Sequence, residues 1–337
     1  MKKWLLCLMV ILSTSSGLVK AHSDAAVVEE KDAQVKDSLR VAAEQGDASA
    51  QNTLGEKFLQ GDGLAQNSQE AVKWFRLAAE KGHANAQFNL GLSYGNGQGV
   101  TQDFSEAVKW FRAAAEQGHT NARFSLGVSY ANGQGVTQDY QEALKWFRAA
   151  AESGDAAAQY NLGLVYLNGR ITAQDFQEAM KWFHLAAKQG HAQAQFNLGV
   201  GYGNGQGMTR NHQEAIKWFR TAAEQGHAKA RYYLGLSYAN GQGVTQDHQE
   251  AAKWLRLAAG QGDAAAQNTL GLSYKLGQGV AQDTARAYMW LKLAVVNHHH
   301  DAQANLDEVA QRLTPDQIAA AIKRARECKK SNYTACD

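Results

Sequence analysis

Apolar positions along this chain recur first at helical spacing and then at a much longer interval. In the segment "GHANAQFNLGLSYGNGQGVTQDFSEAVKWFRAAAEQ", Gly82 to Gln117, residues Ala86, Leu90 and Tyr94 lie four apart. That spacing puts them on one face of a helix. A second run, Ser105 to Glu116, carries Ala107, Trp110, Phe111 and Ala114 on its inner side. Ala-rich faces let two helices approach closely, with Trp and Phe filling the remaining volume. The whole two-helix pattern then returns every 36 residues, at Trp74, Trp110, Trp146, Trp182, Trp218, Trp254 and Trp290. Leu-Gly pairs keep the same step, from Leu54-Gly55 through Leu90-Gly91 to Leu270-Gly271. Seven units therefore run from Gly46 to Asn297 without insertion, and a degraded eighth starts at His298. A fixed period of this length is the signature of stacked repeats.

The polar positions between the helices repeat as strictly. The octet "NGQGVTQD" occurs at Asn96–Asp103, Asn132–Asp139 and Asn240–Asp247. Asn and Gly tolerate the left-handed conformation that ends helices. Asp103 with Glu106 three residues on predicts a capping box, and Glu106 also lies at i,i+3 from Lys109. No strand pattern precedes any copy, as a phosphate-binding loop would require. The octet is a turn and a helix start. Gly91 recurs inside the first helix of every unit, where it costs about 1 kcal/mol of helix propensity against Ala; its recurrence predicts a close approach that a Cβ would obstruct.

The two ends differ from the repeats. Lys2 and Lys3, the apolar run Trp4 to Leu12, and Val19-Lys20-Ala21 read as a secretory signal peptide over residues 1–21. The run is about half of the roughly 20 residues that a bilayer span needs, and no other stretch is long and apolar enough, so no transmembrane anchor is expected in the mature chain. Residues 22–45 resemble a second helix alone, with Ser38 in the Trp slot, and would cap the first unit. Residues 298–337 hold the degenerate repeat and capping helices, the last started by Thr314-Pro315. Removing Lys2, Lys3 and Lys20 leaves 31 Lys+Arg against 32 Asp+Glu. A nearly neutral chain without basic clusters argues against nucleic acid as a partner. Only Cys328 and Cys336 follow the signal segment, and in an oxidising compartment they would close a small C-terminal loop.

The units resemble Sel1-like repeats, relatives of tetratricopeptide repeats. The residues that carry the resemblance are the alanine four before Leu-Gly, the Tyr three after that Gly, "GxGV", "D", "EAxKW" and the closing "AAxxG". The sole proline, Pro315, lies outside the full units, which favours the Sel1-like form. "NGRITAQD" departs, with Arg170 and Ile171 for Gln and Gly. The resemblance implies an all-α, right-handed α/α superhelical solenoid of seven helix-turn-helix repeats, residues 46–297, with terminal capping helices. It implies a scaffold or adaptor that binds a partner protein or peptide on its concave surface. Exported bacterial members are linked to envelope processes and host contact, so an exported chain, periplasmic or secreted, is expected. The alternative is a cell-envelope hydrolase acting on β-lactams or peptidoglycan. Cysteine-rich members associated with β-lactams carry a cysteine pair in each repeat, and these repeats have none. A third reading is a structural spacer.

By analogy with tetratricopeptide repeats, first helices line the concave wall. There Phe88, Phe124, Tyr160, Phe196 and Tyr232 form an aromatic ladder, flanked by Asn52 and Asn268. The ladder either grips a peptide or packs between neighbouring first helices. Asn96, Asn132, Asn168, Asn204 and Asn240 form a second row, able to hold a peptide backbone or to end helices. His83, His119, His191 and His227 alternate with Asp47, Asp155 and Asp263 at a polar helix-start position. Packed helices stand about 8–10 Å apart, too far for shared coordination at about 2 Å. "NHHHD", Asn297 to Asp301, holds two His and an Asp able to take a metal, but reads as a polar turn replacing Gly-His-Ala. No catalytic residue, metal or cofactor is assigned.

Overall fold

The structure is a computed structural model that describes residues 38–333 and 336. The signal segment and most of the N-terminal capping segment lie outside the described residues. Every regular element among the described residues is a helix. After a helical stretch over residues 38–44 come the pairs α1 (Ala48–Gln60) and α2 (Ser68–Glu80), α3 (Ala84–Asn96) and α4 (Phe104–Glu116), and α5 (Thr120–Asn132) and α6 (Tyr140–Glu152). They continue as α7 (Ala156–Asn168) and α8 (Phe176–Lys188), α9 (Ala192–Asn204) and α10 (His212–Glu224), and α11 (Ala228–Asn240) and α12 (His248–Ala259). The last pair is α13 (Ala264–Leu276) and α14 (Thr284–Val296), followed by α15 (Ala302–Ala310) and α16 (Pro315–Lys330). The fold is an all-α helical solenoid. Its helices fall into two compact units, one ending at Trp146 and one starting at Phe147.

Within each unit the repeat explains the packing. The glycine inside a first helix faces the ring of its own second helix: a Cβ on Gly91 would lie 2.6 Å from Phe111, and one on Gly163 would lie 2.6 Å from Phe183. No side chain fits there, so the two helices of a repeat pack at the distance that only Gly permits. The residue that fills the core is therefore the Phe or Leu after each Trp. Phe75, Phe111, Phe183, Phe219, Leu255 and Leu291 are buried. The Trp itself packs at the edge of the neighbouring repeat's core: Trp74, Trp110, Trp146 and Trp254 are half-buried against it, Trp182 and Trp218 are half-buried by exposure, and within the seven repeats Trp290, covered by the C-terminal helices, is the buried one.

Neighbouring repeats are joined by polar ties that the period alone does not reveal. Arg76 donates to the Tyr94 hydroxyl at 2.7 Å, and Arg112, Arg148 and Arg256 do the same to Tyr130, Tyr166 and Tyr274. The buried Gln87 donates to the Ala79 carbonyl at 3.1 Å and accepts from Gln117 at 2.6 Å. Gln195 is held the same way by Ala187 and Gln225. Arg123 and Arg231 replace that Gln and still reach the equivalent carbonyls, Ala115 and Ala223. The Gln ties satisfy buried polar groups whose desolvation would otherwise be uncompensated.

The octet is the expected turn, with one correction. Gly97 ends α3 in the left-handed conformation, φ 68°, and Asp103 Oδ1 accepts from the Ser105 and Glu106 amides. Glu106 does not complete a capping box. The Asp103 N–H that it would reach already donates to the Tyr94 carbonyl at 3.0 Å, so Glu106 pairs with Lys109 instead. Gly99 does more than bend the chain. A Cβ there would lie 2.0 Å from the Ser68 carbonyl of the preceding repeat, so the turn presses directly on a neighbouring helix start. In "NGRITAQD" the left-handed end survives at Gly169, φ 66°, although Ile171 replaces the second glycine. A complete capping box occurs at Thr314 and Gln317 on α16.

Candidate protein-binding face

The ladder positions all lie on first helices, and the structure brings them into a role that the sequence did not disclose. His83, His119, His191 and His227 are N-caps of α3, α5, α9 and α11, each accepting a backbone N–H through Nδ1. The rings of His119, His191 and His227 then stack on the ladder ring of the preceding repeat. Phe88 stacks on His119 and Tyr160 on His191, both at 4.6 Å between centroids, and Phe196 on His227 at 4.8 Å. Three ladder rings also touch the core ring of the next second helix: Phe88 touches Phe111, Tyr160 touches Phe183 and Phe196 touches Phe219. Phe88, Phe124, Tyr160 and Tyr232 are consequently half-buried, while Phe196 is buried. The flanking Asn52 and Asn268 are buried too, accepting from Asn89 and Asn305. They are internal ties and not free polar ends.

A capping Nδ1 needs its lone pair, so these histidines function neutral. Burial holds the pKa of His119, His191 and His227 below the usual imidazole value. Asp47, Asp155 and Asp263 do the same capping through a carboxylate oxygen. Burial raises the Tyr160 and Tyr232 hydroxyl pKa values.

Asn96, Asn132, Asn168, Asn204 and Asn240 are the last residues of their first helices, each followed by a left-handed Gly. Three of the five also line cavities. Asn96 lines one of 190 Å³ together with Phe104, Phe124 and Val128. Asn204 and Asn240 line one of 280 Å³ with His212, Tyr233 and Leu236. The two cavities occupy the same place in repeats 108 residues apart, and each has a glycine on its wall, Gly95 or Gly203. That slot holds Leu59, Ala131, Leu167, Ala239 and Lys275 in the other repeats. Neither glycine has a conformation that requires it: both lie inside helices, and a Cβ on either would make an ordinary 3.8 Å contact with Ala107 or Ala215. They make space. Comparing the slot across repeats would have found them.

A third opening, of 560 Å³, lies beside α8 and is lined by Met180, His184, Leu185, Tyr202 and Met208. His184 replaces the Arg that ties other repeats to the following Tyr, and Met208 replaces the Val of "GxGV". Cys328 and Cys336 form a disulfide, with 4.6 Å between Cα atoms.

Paired helices at a constant step, joined by repeated polar ties, define a helical-repeat protein. The chain belongs to the Sel1 repeat family: its profile matches seven consecutive segments spanning residues 48–295. Members of this family are in general protein–protein interaction scaffolds. The chain is similar to a solved Sel1 repeat protein from Oxalobacter formigenes, at 34% identity and a TM-score of 0.66, over 80% of this chain and 78% of that one. It is also similar to c5321, a protective antigen of uropathogenic Escherichia coli with this repeat fold, at 28% identity and a TM-score of 0.52, over 90% and 88% of the two chains. No curated protein matches the chain.

Proposed function

We propose that this chain is an exported scaffold, periplasmic or secreted, that binds a protein or peptide along the face built by its first helices. That face is the concave side in tetratricopeptide-like stacks. The half-buried rings of Phe88, Phe124, Tyr160 and Tyr232 offer apolar contact, with Phe196 as a packed support. The Asn row supplies hydrogen bonds to a peptide backbone. The Gly95 and Gly203 cavities receive apolar side chains whose neighbours meet Asn96, Asn204 and Asn240. Anchors seated in pockets with a polar rim are the usual economy of such recognition. The observation that carries this reading is the pair of equivalent cavities, each at a glycine that the helix does not need. Export is supported by the signal-like residues 1–21 and by the Cys328–Cys336 bond, since disulfides persist in oxidising compartments. The similar E. coli protein being a protective antigen is in keeping with a role outside the cytosol.

The test is capture from envelope and host-cell extracts by wild type beside the Gly95→Leu/Gly203→Leu chain. Leu167 occupies the same slot naturally, so the filled chain should fold and stay helical by circular dichroism. Loss of a captured partner by the filled chain is expected. Identical capture by both would place recognition elsewhere.

A further inference from the structure

The junction between α14 and α15 breaks the repeat at neighbouring positions, and the changes converge on one cluster. His298 stands where earlier repeats have Gly190, Gly226 and Gly262, yet it keeps their left-handed backbone, φ 63°. A side chain there is uncommon and strained, and such strain is retained chiefly where a site depends on it. His299 stands in the capping slot of His191 and His227 but caps nothing. Its Nδ1 is shielded from water and has no hydrogen-bond partner among the described residues, and the Ala302 amide donates to its backbone carbonyl instead. The N-cap role has moved to Asp301, whose side chain makes no capping bond. By contrast, Asp47, Asp103, Asp155, Asp175, Asp247, Asp263 and Asp283 all accept a helix N–H.

These three side chains lie close together. The Asp301 carboxylate lies 2.9 Å from His300 Nε2. The His299 and His300 rings stack at 5.0 Å between centroids and 21° between planes. One donor atom from each of His299, His300 and Asp301 lies within 4.8 Å of the others. Ligands of a tetrahedral ion bound at about 2 Å stand about 3.4 Å apart, a closure that side-chain rotation at two exposed residues supplies. On the other flank, Asn297 bonds Gln267 Oε1 and the Tyr333 hydroxyl, both at 2.9 Å, which fixes the turn against the last full repeat and the C-terminal loop.

We propose that His299, His300 and Asp301 form a binding site for one first-row transition-metal dication, with Zn²⁺ as its probe. Two imidazoles and a carboxylate suit Zn²⁺, Ni²⁺ or Cu²⁺, whereas Ca²⁺ and Mg²⁺ prefer oxygen ligands alone. Three protein ligands leave a fourth position open to water or to a partner's side chain. The ion would tie α15 to the end of α14, fastening the capping helices to the repeats.

The chelator-treated full chain is titrated with Zn²⁺ by calorimetry, and with Co²⁺ while visible absorption is recorded. One saturable Zn²⁺ per chain is expected, with ligand-field bands on Co²⁺ addition. His300→Ala and Asp301→Asn each weaken Zn²⁺ binding at least about tenfold. Both side chains are exposed, so circular dichroism should show unchanged helicity. Absence of saturable binding overturns the proposal, as does unchanged affinity in both variants. Loss in His300→Ala with full retention in Asp301→Asn also overturns it, because adjacent imidazoles alone would then account for the binding.

Discussion

Gly91 and Gly95 sit one turn apart in the same helix and are there for opposite reasons. Beneath Gly91 lies the Phe111 ring, and a Cβ would enter it at 2.6 Å. Beside Gly95 lies a cavity, and a Cβ would meet only the Ala107 methyl at 3.8 Å. The first glycine recurs in every repeat, at Gly55, Gly127, Gly163, Gly199, Gly235 and Gly271. The second recurs once, at Gly203, while other repeats place Leu, Ala or Lys in its slot. The positions that hold helix against helix are repeated without change. The first-helix face, where the repeats differ, is free to specialise, and that contrast is what supports the proposal that recognition lies there.

The largest effect is expected at the invariant glycines. Gly91→Ala should destabilise the protein: overpacking a filled core costs about 1–3 kcal/mol, offset by about 1 kcal/mol of recovered helix propensity. Chemical denaturation should show a lowered midpoint. A neutral or stabilising result would mean that the close approach to Phe111 relaxes freely, and the distinction between the two glycines would lose its basis.

A smaller effect is expected at the helix starts. Burial lowers the folded-state pKa of His119, His191 and His227. The unfolded chain therefore binds more protons, and stability rises with pH in that range. The contribution is complete above the unfolded value of about 6.5 and is lost as pH falls from there through the folded values. Lys229 beside His227 adds to the lowering, and Asp155 near His191 opposes it. Replacing all three by Asp, the natural occupant at Asp155, keeps the caps ionised down to about pH 4. Thermal unfolding between pH 7 and pH 5 should then vary less than in wild type. An equal acid sensitivity would show that these caps do not govern it.

Much of the fold was legible because the period is exact: the helix pairs, the turn, the left-handed glycines and the Thr314-Pro315 start all lie where the pattern put them. The errors arose where one backbone group had two claimants or one residue two neighbours. Glu106 lost its capping role because the Tyr94 carbonyl had already taken the Asp103 amide. Trp packs against the core but stays half-buried, because the Phe after it is the residue that faces the glycine. The ladder was visible as a row, but its stacking on the next repeat's capping His depends on a contact 31 residues away, as between Phe88 and His119. The cavities were hidden because a missing side chain leaves no mark in a hydrophobic pattern; only slot-by-slot comparison of repeats exposes Gly95 and Gly203.

The most direct measurement is the unfolding free energy of Gly95→Ala against wild type, by chemical denaturation under identical conditions. A gain of up to about 1 kcal/mol is expected, since the added methyl meets no obstruction and the helix prefers Ala. A loss would show that Gly95 is required by the packing, and the cavity beside it would then be a by-product of the fold and not a place kept open for a partner.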